Sequence, residues 1–267
     1  MKRITFASLR VRLILIVLLA VIPALGLTLY TGLEHRQIAA NQAKEEALRM
    51  ARHVSTSHGQ IIEATRQLLY TLAQIPQVGN LEPAACSSLF AVLLKQNPYY
   101  LNIGAAYANG NVFASAIPFT RPINVTDRPY FRRAIQTRNF AIGDYQIGLI
   151  HGKPSVNFGY PILNDAGRVR AVVFASLDLN WINRLASESQ LPKRATLLVT
   201  DKNGMILARY PEPEKWVGKS MPEVSIVKAI LTKGEGLEEA LGLDGVPQHD
   251  ILFVFRLFTI SSYFGIE

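Results

Sequence analysis

The sequence predicts an α+β protein: an N-terminal transmembrane helix and a long stalk helix, followed by two tandem units of strands and helices. Three observations predict it. Leu13 to Leu33 carries no charged residue and contains the almost wholly apolar run LILIVLLAVIPALGLTLY. A helical spacing of apolar residues then runs to Pro76, where a proline inside a helical pattern ends it. Beyond that point a strand, turn, strand, helix, strand, strand order occurs twice.

The first element is long enough for its role, since about twenty apolar residues cross the hydrocarbon core as an α-helix. Lys2, Arg3, Arg10 and Arg12 precede it. By the positive-inside rule that basic tail stays in the cytoplasm and everything after Glu34 is exported. Tyr30 falls at the outer interface, and Pro23 is tolerated as a kink. The alternative is a cleaved signal peptide with Ala24-Leu25-Gly26 as its cleavage site. The apolar run continues past that point to Tyr30 and a helical pattern follows, which favours an uncleaved anchor in the plasma (inner) membrane.

Composition narrows the class. Of 267 residues, 49% are hydrophobic and 18% charged, as for an ordered chain. The mean hydropathy of +0.16 fits a membrane segment. The net charge of +8 is scattered outside the basic tail, with no Lys/Arg stripe interleaved with aromatics, so nucleic acid is not an expected partner. The single cysteine, Cys86, makes no internal disulfide and no cysteine zinc cluster. It reads as a small buried apolar residue on a helix.

The stalk runs from about Gly32 to Gln74. Its first half, HRQIAANQAKEEALRMARH, is polar all round apart from alanines, whereas Val54, Ile61, Ile62, Thr65, Leu68, Leu69 and Leu72 fall on one face. Such a stripe needs cover, from its own domain or from a second subunit. Pro83 to Lys95 is a shorter helix with its proline in the first turn. Asn109-Gly110 predicts a two-residue hairpin between Tyr99–Ala108 and Asn111–Ala116. Arg128 to Arg138 is a helix. Lys153–Leu163 and Arg168–Leu179 are strands, the second apolar enough in its middle to be central in a sheet. Trp181–Ser189 is a helix leading to the boundary at Leu191-Pro192. The second unit has strands at Ala195–Thr200 and Met205–Tyr210 around the turn Asp201-Lys202-Asn203-Gly204. A Pro-rich loop, a helix at Val224–Thr232, and strands at Ile251–Leu257 and Ser261–Ile266 complete it.

Two stretches carry a family resemblance. VTDRPYFRRAIQTRNFAIGDYQIGLIHGKPSVNFGYPILNDAGRVRAVVFASLDL resembles the membrane-distal module of double Cache (PAS-like) sensor domains, and DKNGMILARYPEPEKWVGKSMPE resembles the start of their membrane-proximal module. The resemblance implies a division into a cytoplasmic tail (1–12), a transmembrane helix (13–33), a stalk helix (34–75), a distal Cache module (76–190) and a proximal one (191–267). It also implies an antiparallel sheet in each module, flanked by helices, and a small ligand in the distal pocket of a signal-transduction receptor. Such receptors carry a histidine kinase, diguanylate cyclase or chemoreceptor output. The chain stops at Glu267, about where the last strand of the proximal module would end, and so reads as a fragment or a truncated gene product.

The same resemblance nominates ligand-binding residues. Arg128, in Asp127-Arg128-Pro129-Tyr130-Phe131, matches an arginine that holds a carboxylate in ligand-binding relatives. A guanidinium fork suits that task in a way a lysine does not. Its bland reading is a pair with Asp127. Tyr130 and Phe131 offer aromatic walls or plain core packing. Tyr145 lies on a strand that lines the pocket in relatives. Ser155 and Asn157 alternate with Val156 and Phe158 and so share one face of their strand. The acidic residue that holds an α-amino group in amino-acid-binding relatives aligns with Ser176, and Asp178 reads as the cap of the helix near Trp181. Losing that carboxylate favours an organic acid over an amino acid.

Enzymatic signatures are lacking. His35, His53, His58, His151 and His249 form no zinc-type pair, and no nucleophile elbow, phosphate loop or dinucleotide fingerprint occurs. No cofactor or metal is expected. The alternative to a sensor is a membrane-tethered interaction module, with its pocket filled by side chains and a homodimer formed through the stalk.

Overall fold

The structure, a computed structural model, describes residues 21, 59–181, 195–201, 203–224, 227–228, 235–239 and 251–256. The chain divides into two compact units, Met1–Glu46 and Ala47–Glu267. Of the first, only Val21 is described, and both sheets with the helices around them belong to the second. Apart from Val21, the anticipated transmembrane helix and the stalk up to residue 58 lie outside the described residues, as do most of the helix after Trp181 and the strand at Ser261–Ile266. No helix among the described residues is long and apolar enough to cross a membrane.

Helix α1 (residues 59–74) stops where Pro76 requires it to, and α2 (Pro76–Gly79) restarts with that proline in its first turn. Helix α3 (Pro83–Gln96) begins the same way at Pro83. The first sheet holds β1 (Tyr100–Tyr107), β2 (Val112–Ser115), β3 (Ala141–Ile147), β4 (Pro154–Leu163) and β5 (Val169–Asp178), with α4 (Pro129–Thr137) between β2 and β3. Its order is β2-β1-β5-β4-β3 and every pairing is antiparallel. Strand β5 is central, as its apolar run requires.

Both faces of this sheet are covered. On one, Ile103, Val156, Phe158, Val173, Ala175 and Leu177 join Leu69, Leu72, Cys86 and Phe90 of α1 and α3. On the other, Ala106, Val172 and Phe174 pack with Tyr130, Phe131 and Ala134 of α4. Glycines let α4 lie this close. A Cβ on Gly143 would stand 2.9 Å from the Asn157 carbonyl oxygen and 3.1 Å from Tyr130 Cβ, and one on Gly159 would stand 3.1 Å from the Tyr130 carbonyl oxygen. Arg133 ties α4 to β3, reaching Asp144 with two bonds of 2.9 and 3.0 Å and the Ile142 carbonyl at 2.6 Å.

Four expectations change. The hairpin between β1 and β2 has a three-residue loop, because the Tyr107 N–H donates to the Asn111 carbonyl and only Gly110 takes positive φ (84°). A short helix, α5 (Pro213–Trp216), sits within the Pro-rich loop, and the Glu-rich stretch Glu235–Glu239 is a strand, β8. The second sheet, with β6 (Ala195–Thr200), β7 (Ile206–Tyr210) and β9 (Ile251–Arg256), has the order β7-β6-β9-β8. Its β6–β9 pair is parallel, so the anticipated all-antiparallel second unit is corrected to a mixed sheet: the last described strand enters beside β6 in the same direction. Val199, Leu207 and Ala208 of this sheet join the core cluster of the first, so the two sheets share one hydrophobic core.

Thr65 joins α1 to β1. Its hydroxyl donates to the Ile61 carbonyl at 2.6 Å, so at 2.7 Å the Tyr100 hydroxyl is the donor to Thr65 Oγ1. Thr65→Val strands that buried donor and is expected to cost about 1–3 kcal/mol in denaturant unfolding. Gly143→Ala, which drives a methyl into backbone, is expected to cost a similar ~1–3 kcal/mol in the same measurement.

Candidate functional site

Alternation along the strands divides the α4 face of the first sheet into two regions. Under α4 it is apolar. Beyond α4 it becomes polar while still buried: Asn102, Asn157, Ser176, Ser155, Asp178 and Gln146 are all nearly inaccessible. Register makes this one surface. Ser176 on β5 stands opposite Asn102 on β1 and Asn157 on β4, and Ser155 on β4 stands opposite Asp178 and Gln146. A buried sheet face of this composition has to supply its groups with hydrogen-bond partners.

A small cleft, half open to solvent, lies over this region. Its floor is the polar row Asn102, Ser176 and Asn157 with Gln146 beside it. Arg128 and Tyr130 come from the start of α4, and the loop Gly148 to His151 forms another wall. No acidic residue lines it among the described residues.

Arg128 is positioned by its neighbour. A residue before proline is held in extended backbone, and Arg128 has ψ 130° with Pro129 at the first helical position. Its N–H donates to the Val125 carbonyl, and its carbonyl accepts from Phe131 and Arg132, fixing the backbone on both sides. The side chain thus stands at the positive end of the α4 dipole. Its Nε lies 3.4 Å from Asp127 Oδ1 but makes no hydrogen bond there, although it is buried. Asp127 is 71% exposed, so this ion pair is weak.

Tyr130 is fully buried between Phe174 and the glycines beneath it. Burial pushes its hydroxyl pKa well above the ordinary tyrosine range, and a hydrogen bond with Asn157 offsets part of that. Asn157 Oδ1 also accepts from Ser155 Oγ at 3.1 Å. Asn102 Oδ1 accepts from Ser115 Oγ at 3.0 Å and from the Ile117 N–H, which fixes the orientation of its amide.

His151 packs its ring onto Gly148, where a Cβ would meet ring atoms at 2.1 Å. The Lys153 N–H donates to His151 Nδ1 at 3.2 Å, so in the neutral ring the proton sits on Nε2. That Nε2 is buried without a protein partner, as is Gln146 Oε1. Desolvation, then Lys153, lower the His151 pKa, and Asp178 opposes them. The cavity therefore presents unpaired N–H donors from Arg128 and His151 and one unpaired acceptor from Gln146.

Of the residues nominated from sequence, Arg128, Tyr130, Asn157 and Ser176 line the cavity. Ser155 supports Asn157 from the same face. Phe131 lies in the apolar core beneath α4. Tyr145 pairs with Val156, which faces the opposite core, and its hydroxyl lies against Gly218 beside the second sheet. Asp178 Oδ1 accepts the Asn180 N–H at 2.9 Å at the start of the following helix, and so occupies the capping position anticipated for it. Sequence reasoning missed Asn102, Gln146 and His151. Gln146 follows the favoured Tyr145, and only the strand register decides which of the two faces the cavity. Among the described residues no cluster of His, Cys, Asp or Glu could hold a metal ion.

A two-faced antiparallel sheet flanked by helices, with a buried polar cavity on one face, has the form of a small-molecule sensor module. The Cache domain model (dCache_1) matches residues 35–250, and the chain belongs to that family. The Cache domain is an extracytoplasmic sensing domain of membrane signal-transduction receptors, not a catalytic one. The chain is similar to Sporulation kinase D of Bacillus subtilis (strain 168), 21% identical over 222 residues, covering 80% of this chain and 43% of that protein. It therefore spans less than half the length of that curated relative. Among solved structures it resembles a Vibrio parahaemolyticus domain assigned to the sensory box/GGDEF family, with TM-score 0.60, 14% identity, 74% of this chain and 86% of that one. It also resembles the ligand-binding domain of Mlp24 with asparagine, with TM-score 0.57, 18% identity, 76% and 82%. These likenesses are of fold.

Because the folded pKa of His151 lies below its ordinary value near 6.5, the folded state disfavours the proton that the unfolded chain binds. Stability held above pH 6.5 is then lost as pH falls. The melting temperature is expected to drop between pH 7 and 5, and His151→Gln should flatten that drop.

Proposed function

We propose that this region senses a small carboxylate, held by Arg128 in the polar cavity of the first sheet. The observation that carries this reading is the Arg128 guanidinium, buried at its Nε without a hydrogen bond in a cavity with no acidic lining. An anion satisfies that donor, whereas an ammonium group brought in alone meets no countercharge. The asparagine seen with Mlp24 carries a carboxylate too, which fits the anionic half of the reading. The preference for an acid without an amine comes from Ser176, where amino-acid-binding relatives carry an acidic residue.

The wider arrangement is part of the same proposal. Residues 1–12 are cytoplasmic, 13–33 cross the membrane once, and 34–75 form a stalk that pairs with a second copy. Residues 76–190 form the ligand-binding distal module and 191–267 the proximal one. The apolar run at 13–33, the basic tail and the one-sided stripe of the stalk support it.

A thermal-shift screen of the full chain in detergent against organic acids, amino acids and amines tests the reading. At a hundred times its dissociation constant a bound carboxylate adds about 2.7 kcal/mol of stability. The shift is expected to vanish in Arg128→Ala and to weaken in Arg128→Lys, which lacks the planar fork. Stabilisation by amines alone, or by no compound at all, would sink it.

A further inference from the structure

The carboxylate reading leaves two groups unexplained, and they differ in kind. Gln146 is only 9% exposed and its Oε1, an acceptor, has no protein partner. His151 offers a donor, because the Lys153 N–H occupies Nδ1 and leaves the proton on Nε2. Neither residue is held there by chance packing. Gln146 is aimed by register, opposite Ser155 on the polar face, and His151 by its seat on Gly148.

A ligand complementary to this set has acceptors for Arg128 and His151 and a hydrogen-bond donor for Gln146. It does not need a positive charge. Asp178, on the same sheet face, lies outside the cavity lining and accepts the Asn180 N–H. We propose that the cavity selects a small 2-hydroxycarboxylate, with Arg128 and His151 donating to its carboxylate and Gln146 Oε1 accepting from its hydroxyl. This rests on the carboxylate reading and adds a hydroxyl-specific contact to it.

Three isosteric probes separate the two claims. L-Lactate, propionate and L-alanine share one carbon skeleton and carboxylate and differ at carbon 2 by a hydroxyl, a hydrogen or an ammonium group. Calorimetric titration of the full chain in detergent is expected to show lactate binding about tenfold more tightly than propionate, the value of one neutral hydrogen bond. Alanine should bind more weakly than lactate by at least about tenfold, since no acidic side chain lines the cavity to receive its ammonium. Gln146→Met, close in shape but without the acceptor, should bring lactate down to the level of propionate and leave propionate unchanged. His151→Phe should weaken both alike. Propionate equal to lactate, or alanine tighter than lactate, overturns the hydroxy-acid assignment while the carboxylate site stands. Failure of all three probes, together with failure of every acid in the thermal screen, removes both. The wild-type series needs no variant to fold, and unliganded melting temperatures identify a variant that does not.

Discussion

Strand β5 is covered on both faces, and its alternation organises the rest of the molecule. Ala171, Val173, Ala175 and Leu177 point to the core made with α1 and α3, and Val172, Phe174 and Ser176 point to the α4 side. Because side chains repeat every two residues, neither set can slip without turning the other inside out. The register with β1 and β4 is thereby fixed, and with it the polar row that crosses the sheet at Ser176. The cavity is where the α4 face stops being covered by α4 and the strands continue with buried polar residues.

The second constraint is the contact between α4 and the sheet. Gly143 and Gly159 bring the helix backbone within van der Waals reach of the strands, and Arg133 locks it to the irregular segment of β3 at Asp144. Pro129 sets where the helix begins and holds Arg128 in extended backbone before it. Placement of the guanidinium is thus a result of helix docking, with no rigid side chain required. The opposite wall depends on a loop, where a glycine and one backbone hydrogen bond orient His151.

Much of this was legible in the sequence, and the exceptions have physical causes. The apolar middle of β5 predicted a central strand, Pro76 and Pro83 predicted helix boundaries, and the family motif located the start of α4. Faces were harder to assign on β3, where the register shifts between Ile142 and Tyr145, so simple alternation from Ala141 does not carry through. Asn102 is brought to Asn157 by strand pairing across β5, which local periodicity does not contain. Strand β8 escaped notice because Glu235–Glu239 is charged and its place beside β9 comes from pairing, not propensity. The parallel β6–β9 pair is equally non-local.

Strand alternation also separates the sheet's polar chemistry from its packing. On β4, Ser155 and Asn157 belong to the polar face, while Val156 and Phe158 belong to the core. On β5, Ser176 stands between Ala175 and Leu177 in the same way. Substitutions at a two-residue interval can therefore alter the polar groups on the floor of the cavity while the apolar contacts that hold the sheet to α1 and α3 stay as they are. The two sides of one strand are thereby separable: the chemistry of the floor on one, the scaffold on the other.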